Sequence, residues 1–290
     1  MHFRFAKRWL VGLLAAAVLL VAVGAYLSLP RAYLLMATTT STRDTGLLPY
    51  LLPEFTADTG IQVRYVAVGT GQALDAGRRG DVDVVMVHAP RLEEQFLSEG
   101  HGLCRNSIMY NRFVVVGPAA DPADVQNATS ATDAFLRIHN ASVHNASATF
   151  ESRADNSGTH TRELDLWAAA GLDPSTFGPW YETTEQGMGA TLTIANERDA
   201  YTLSDDGTWY AREASLPYLA LLHAQDEQDE PLLQNPYSVI PVNPSAHPSV
   251  LVDQAVTFAR WLVGARAQSL IGAFTVNGHA IFTPDGAGGC

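Results

Sequence analysis

Residues 33–60 read YLLMATTTSTRDTGLLPYLLPEFTADTG, and this stretch decides the fold class. Positions 33–37 form a short apolar, β-prone run that ends in four hydroxyls, Thr38, Thr39, Thr40 and Ser41. Leu47, Leu48, Leu51, Leu52 and Phe55 then recur at helical spacings, which predicts a helix over 47–59 stopped by Gly60. Strand, polar turn and helix in that order begin a βαβ unit, and the rhythm continues. A strand is predicted over 61–68, leading into Gly69-Thr70-Gly71 and a short helix from Gln72 to Gly80. An apolar strand over 83–87, a helix from Pro90 to Gly100 and a strand over 112–116 follow. Alternation at this rate predicts an α/β protein with a parallel or mixed sheet covered by helices.

A second unit repeats the pattern. Strands are predicted over 148–152, 181–184 and 200–203, with helices over 159–170 and from Gln186 through Asn196. A strand over 237–242 carries the chain back to the first unit, where a last helix over 250–274 needs an apolar partner. The expected architecture is two α/β lobes, 33–117 with 240–286 and 118–239, joined by a hinge with a ligand cleft between them.

The 290 residues suit two domains, and 47% hydrophobic with 17% charged residues excludes a disordered chain. Arg4, Lys7, Arg8 and Arg31 lie in the first 31 residues without an acid, so the remainder carries 14 basic against 30 acidic residues. A body of that charge does not clamp nucleic acid or an anionic membrane by its general field. The basic start and the uncharged run over 9–29 predict an N-terminal apolar helix within 1–32, either a cleaved signal peptide or a retained membrane anchor. Both place the body outside the cytoplasm.

Cys104 and Cys290 are the two cysteines; with Cys290 at the end of a flexible glycine-rich tail, both are expected to be inert thiols. Asn127, Asn140 and Asn145 begin Asn-x-Ser/Thr sequons in a window that reads as a surface segment, so they are candidate glycosylation acceptors. His139 and His144 lie in the same window, five apart, and are read as solvent-exposed and not as a metal pair. No metal site and no cofactor is expected.

Each strand-to-helix junction is rich in hydroxyls and glycine and poor in acids. Helix starts present free N–H groups and the positive dipole end, which suits an anion. Thr38–Ser41, Thr70 with Gly71, and Ser157-Gly158-Thr159 supply neutral donors, and Arg153 adds a planar fork. One such junction is only an N-cap; three of them with an arginine predict an oxyanion site. A site for hydrogen phosphate benefits from an acceptor carboxylate beside the donors, whereas an all-donor cage suits an unprotonated dianion such as tungstate, molybdate or sulfate. Asp44 and Asp155 are the nearby acids, and Asp155 is expected to pair with Arg153.

The TTTST run at 38–42 with Thr45-Gly46-Leu47-Leu48, GTGQAL at 69–74, DVVMVHAP at 83–90 and MYNRFVVVGP at 109–118 resemble the tungstate-binding proteins of ABC importers. So do SRADNSGTH at 152–160, GMGATL at 187–192, and NPYS at 235–238 with Asn243-Pro244. The resemblance runs from about residue 37 to 282 and implies a two-lobed, type II periplasmic-binding-protein-like fold. It implies a protein that captures tungstate or molybdate and delivers it to a membrane permease, without catalysis and as a monomer. The ligand contacts it implies are Thr39, Ser41, Thr70, Arg153, Ser157, Gly158 and Thr159. Departures are Ala154 and Asn156 in the arginine block, where the family more often has Gly, then Asp, the sequon window and the missing lipid-anchor cysteine. A phosphate or sulfate carrier and an oxyanion-sensing receptor lobe are the alternatives. A hydrolase built on Ser157, His160 and Asp155 is disfavoured, because these lie too close in sequence to form a nucleophile–base–orienter line.

Overall fold

The structure, a computed structural model, describes residues 33–145, 148–224 and 230–289. The leader expected at 1–32 lies outside the described residues, among which no helix is long and apolar enough to cross a membrane.

The first run comprises β1 (Tyr33–Thr39), α1 (Thr40–Asp44), α2 (Leu47–Thr59), β2 (Gln62–Val68), α3 (Thr70–Arg79), β3 (Val84–Val87), α4 (Pro90–Ser98) and β4 (Asn106–Pro118). The second comprises α5 (Ala131–Asn145), β5 (Phe150–Ser152), α6 (Gly158–Ala169), β6 (Tyr181–Thr183), α7 (Met188–Arg198), β7 (Thr202–Asp205), α8 (Asp206–Arg212) and β8 (Leu219–His223). The chain returns through β9 (Gln234–Pro241), α9 (Val252–Val263), α10 (Ala265–Ala273), β10 (Thr275–Val276), β11 (His279–Ala280) and β12 (Thr283–Gly288).

The sheet is mixed, in the order β12-β4-β9-β3-β1-β2. β1 runs parallel to β3, and β3–β9, β9–β4 and β4–β12 are antiparallel. β4 changes partners along its length. Its first half pairs with β9 from Asn106 to Arg112, and its second half pairs with β7 and β8 from Phe113 to Pro118. Beyond β7, β5 pairs in parallel with β6 and is bridged to Tyr201 through Phe150.

The apolar side chains divide at the same place. One core gathers Leu34, Leu51 and Phe55 with Val239, Phe258 and Leu262. Another gathers Phe113, Phe135, Phe150, Trp167 and Tyr201. The result is a two-lobed α/β fold in which β4 and β9 pass between lobes.

Several expectations change. The hydroxyl run closes into the short helix α1, because Thr39 caps it through Oγ1, which accepts from the Thr42 N–H. The last helix breaks at Gly264, whose extended backbone (φ −75, ψ 155) ends α9 and starts α10. In the sequon window, α5 buries Ala131, Ala134, Phe135, Ile138 and Ala141 at helical spacing. Asn127 and Asn140 are exposed. His139 is not solvated as expected: it is half-buried, its ring 5.5 Å from Phe177 and 5.7 Å from Trp180. The tail is a strand, β12, whose Gly288 pairs with Asn106. Cys104, two residues before Asn106, is disulfide-bonded and not the inert thiol expected; Cys290 lies outside the described residues.

Phe55 anchors the first core, fully buried with its ring 4.9 Å from Phe258 and 5.4 Å from Trp261. Phe55→Ala should cost about 3–5 kcal/mol, read as a lower urea midpoint at an unchanged denaturant slope.

Candidate functional site

The β1–α1, β2–α3 and β3–α4 junctions of the first lobe meet the β5–α6 and β6–α7 junctions of the second. Thr38, facing β3, donates from Oγ1 to the Met86 carbonyl at 2.9 Å and belongs to the sheet. Thr39 and Ser41 are buried, their hydroxyl oxygens 3.1 Å apart. Gly69, extended at φ −66, caps α3 without a side chain, and Thr70 is its first residue. The Gly158 N–H, at the start of α6, donates to Thr70 Oγ1 at 3.3 Å, so the two lobes touch at hydrogen-bond distance.

Gly158 is there for space. A Cβ at this position would lie 2.4 Å from the His88 carbonyl oxygen and 2.8 Å from its Nδ1. No other residue allows the lobes this approach.

Arg153 is 2% exposed. Its guanidinium donates to Asp155 Oδ2 at 2.5 Å, to Thr159 Oγ1 at 3.3 Å and to the Gln186 carbonyl at 3.3 Å. The other Asp155 oxygen accepts the Ser157 N–H at 3.1 Å. Both carboxylate oxygens are therefore engaged, as the pairing expected from sequence requires, while Asp44 is turned to Arg43 at 2.6 Å. The loop that bends Asp155 back onto Arg153 puts Ala154 (φ 47) and Asn156 (φ 55) in the left-handed region. For Ala154 that conformation costs about 1–2 kcal/mol, which a glycine would not incur.

Ser157 caps α6, its Oγ accepting the His160 N–H at 3.2 Å, so its own proton is free to point outward. His160 Nδ1 accepts the Asn156 N–H, which leaves Ser157, His160 and Asp155 occupied with capping and ion pairing. None of α1, α3, α6 and α7 carries an acid in its first turn.

Thr39, Ser41, Thr70, Arg153, Ser157, Gly158 and Thr159 are thus buried and joined in one network of contacts between the lobes. Other residues of this network were not among the predicted ligand contacts. Thr40 Oγ1 is buried without a hydrogen-bond partner, beside the α7 cap Gly187, whose added Cβ would lie 3.2 Å from it. Gly187 opens a strand–glycine–helix junction like the others and was recognisable for that reason. His88 directly follows β3, its Nε2 3.0 Å from Ser41 Oγ and its Nδ1 2.8 Å from Asn235 Oδ1. Burial pushes the His88 imidazole down to about 4, with the Arg153 charge acting in the same direction, so the ring is neutral at neutral pH. A cavity of about 170 Å³ opens beside His88 and Gly158, bounded by Phe113, Arg162 and Asn235. Among the described residues no cluster of His, Cys, Asp and Glu could hold a metal ion.

Behind Arg153 lies a buried carboxyl. Glu163 accepts from Ser152 Oγ at 2.8 Å, Tyr181 Oη at 2.6 Å and Trp167 Nε1 at 3.3 Å. Ser152 Oγ also accepts the Ala154 N–H, so Glu163 sets the exit of β5 into the arginine loop.

Residues 25–266 match the model of a PBP superfamily domain. The chain is 43% identical over 258 residues to the tungstate-binding protein TupA of Peptoclostridium acidaminophilum, covering 88% of this chain and 86% of that protein. It is 35% identical over 248 residues to TupA of Campylobacter jejuni, covering 84% and 88%. The solved tungstate-binding protein TupA of Desulfovibrio alaskensis superposes with a TM-score of 0.74 at 44% identity, covering 88% of this chain and all of that one.

Burial, with the Asp155 charge in the same direction, pushes Glu163 up to about 7 against its three hydrogen bonds. The folded protein therefore favours the protonated carboxyl. Its stabilising contribution is complete below about pH 4.5 and is lost as the pH rises through about 7. Glu163→Gln should flatten this decline, measured as urea midpoints at acid and mildly alkaline pH.

Proposed function

Since the chain belongs to the TupA family of tungstate-binding proteins within the PBP superfamily, we propose that its two lobes close on a tetrahedral oxyanion, tungstate or molybdate, and deliver it to an ABC-type permease. The reading is that of a monomeric carrier on the outer side of the membrane, with no catalytic step.

One observation carries it. Second-lobe donors gather around a buried arginine whose neighbouring carboxylate has both oxygens engaged, and Thr70 of the first lobe meets them at Gly158. An unprotonated dianion finds N–H and O–H groups there. Hydrogen phosphate finds no uncommitted carboxylate in the arginine block to take its proton.

Each proposed contact has a role set by its position. Arg153 offers the guanidinium donors that Asp155, Thr159 and Gln186 do not occupy, and Asp155 holds its plane. Ser157 and Thr39 accept a backbone N–H as helix caps and turn their protons to the anion. Gly158 and Thr159 present the α6 N-terminus, where the helix dipole favours negative charge. Thr70 and Ser41 bring the first lobe's hydroxyls, so the anion is bound completely only when the lobes are together. We place the hinge in β4 and β9, where the cores change over between Met109 and Phe113 and between Leu233 and Tyr237.

Calorimetry with tungstate, molybdate, sulfate and phosphate should show tungstate or molybdate well ahead; tight phosphate binding without tungstate heat would overturn the selectivity. Arg153→Ala should lose at least about 100-fold in tungstate affinity with the fold retained, because charge-assisted hydrogen bonds to a desolvated anion go with it. Gly158→Ala should also weaken tungstate binding, at a circular dichroism spectrum like that of the parent chain, because its Cβ holds the lobes apart.

A further inference from the structure

A line of buried side chains runs from Ser41 away from the cleft and ends at a carboxyl that no binding loop contains. Asp206, the first residue of α8, accepts at Oδ1 from Asn111 Nδ2 at 2.8 Å. Asn111 Oδ1 accepts from Asn235 Nδ2 at 2.7 Å. Asn235 Oδ1 meets His88 Nδ1 at 2.8 Å, and His88 Nε2 meets Ser41 Oγ at 3.0 Å. All five side chains are at most 2% exposed.

Every amide in the line has one donating and one accepting end, so the first bond sets the direction of the rest. An ionised Asp206 only accepts. Asn111 then donates to it, Asn235 donates to Asn111, and the Asn235 oxygen requires the His88 proton on Nδ1. Nε2 of the neutral ring becomes an acceptor and takes the Ser41 proton. Ser41, whose Oγ also meets Thr39 Oγ1 at 3.1 Å and the Tyr237 hydroxyl, is then left with lone pairs only, which an oxyanion avoids. Protonated Asp206 can donate as well as accept, and the anion selects the line in which every bond is reversed. The Asp206 O–H donates to Asn111, both amides turn over, the ring carries its proton on Nε2, and Ser41 is free to donate into the cleft. Tyr237, stacked on His88 at 4.6 Å with its hydroxyl 3.3 Å from Asn235 Nδ2, serves both states because a hydroxyl donates and accepts.

We infer that Asp206 is a positioning residue for the oxyanion: it takes up one proton from solvent when the anion binds, and so turns Ser41 from acceptor to donor. This rests on the reading of Ser41 as an anion contact. The groups facing Asp206 are Asp205 beside it, Arg112 of β4 with Nε 3.7 Å from Oδ2 and its backbone N–H donating to the carboxyl, Tyr210 of the same helix, and Tyr237 of β9. Burial and the Asp205 charge push Asp206 up to about 7 against the pull of Arg112. Asp205 is raised by burial too, but its two oxygens are held by the Thr208 N–H and Oγ1–H. His88 faces Arg153 and Asp155 and is lowered, so it is not the first to take the proton.

The test is calorimetry of the 290-residue chain with sodium tungstate at about pH 8.5 in buffers of different ionisation enthalpy. The expected result is uptake of about one proton per anion, with affinity falling by up to about tenfold per pH unit above about pH 7. Asp206→Asn, whose amide donates permanently to Asn111, should bind with no proton uptake and no such fall. If that variant does not fold, Ser41→Ala decides: it should bind more weakly and take up no proton. Binding by the parent chain without proton uptake, or undiminished uptake in either variant, overturns the inference. Absence of tungstate heat from the parent chain at every pH instead overturns the site reading beneath it.

Discussion

A guanidinium that is 2% exposed has to be neutralised where it lies, and the rest of the cleft is arranged around that requirement. Asp155 is the neutralising group, two residues along the same loop. To bring it back onto Arg153 the backbone passes twice through the left-handed region, at Ala154 and Asn156. That double bend delivers Ser157 to the head of α6 and leaves Gly158 against the His88 carbonyl. The pair carries no net charge, so a doubly charged guest of the kind proposed would be held by hydrogen-bond geometry and helix ends more than by an excess of positive charge. An acidic protein can bind an anion on those terms.

The hydroxyls that frame the cleft each do two jobs. Thr39 and Ser157 cap α1 and α6 by accepting backbone N–H groups, and a hydroxyl engaged in that way still has a proton to give. Capping orients the oxygen, so little side-chain freedom is left to lose on binding. Ser41 is different because one of its partners is a neutral histidine. Its direction is set through amides that lead to α8, an element with no ligand contact of its own.

Alternation of apolar runs with glycine-stopped helices made the two-lobed α/β architecture legible, and α2 follows its leucine spacing from Leu47 to Thr59. The junction chemistry was legible too, because hydroxyls, glycines and one arginine gather where strands end. Elements set by partners were not. β12 contains proline and glycines and is a strand only because β4 offers an edge to pair with. The passage from β7 into α8 carries two acids in a row, and Asp205 and Asp206 are buried by the packing of α8 against β4 and β7. His88 sits after four apolar residues and shows its role only once Asn235, 147 positions away, is beside it.

The division of the cores also bears on the order in which the protein takes shape. The second core is drawn from one uninterrupted segment between Phe113 and Leu233. The first joins residues between Leu34 and Met109 to others between Tyr237 and Phe282. A chain emerging from its N-terminus can complete the second lobe while β1, β2 and β3 still await β9 and α9. The first lobe's apolar strands are therefore uncovered for longer, with loop-closure entropy opposing their assembly until the later segment arrives. Closure of the cleft is preceded by a slower closure, that of the first lobe around its own returning chain.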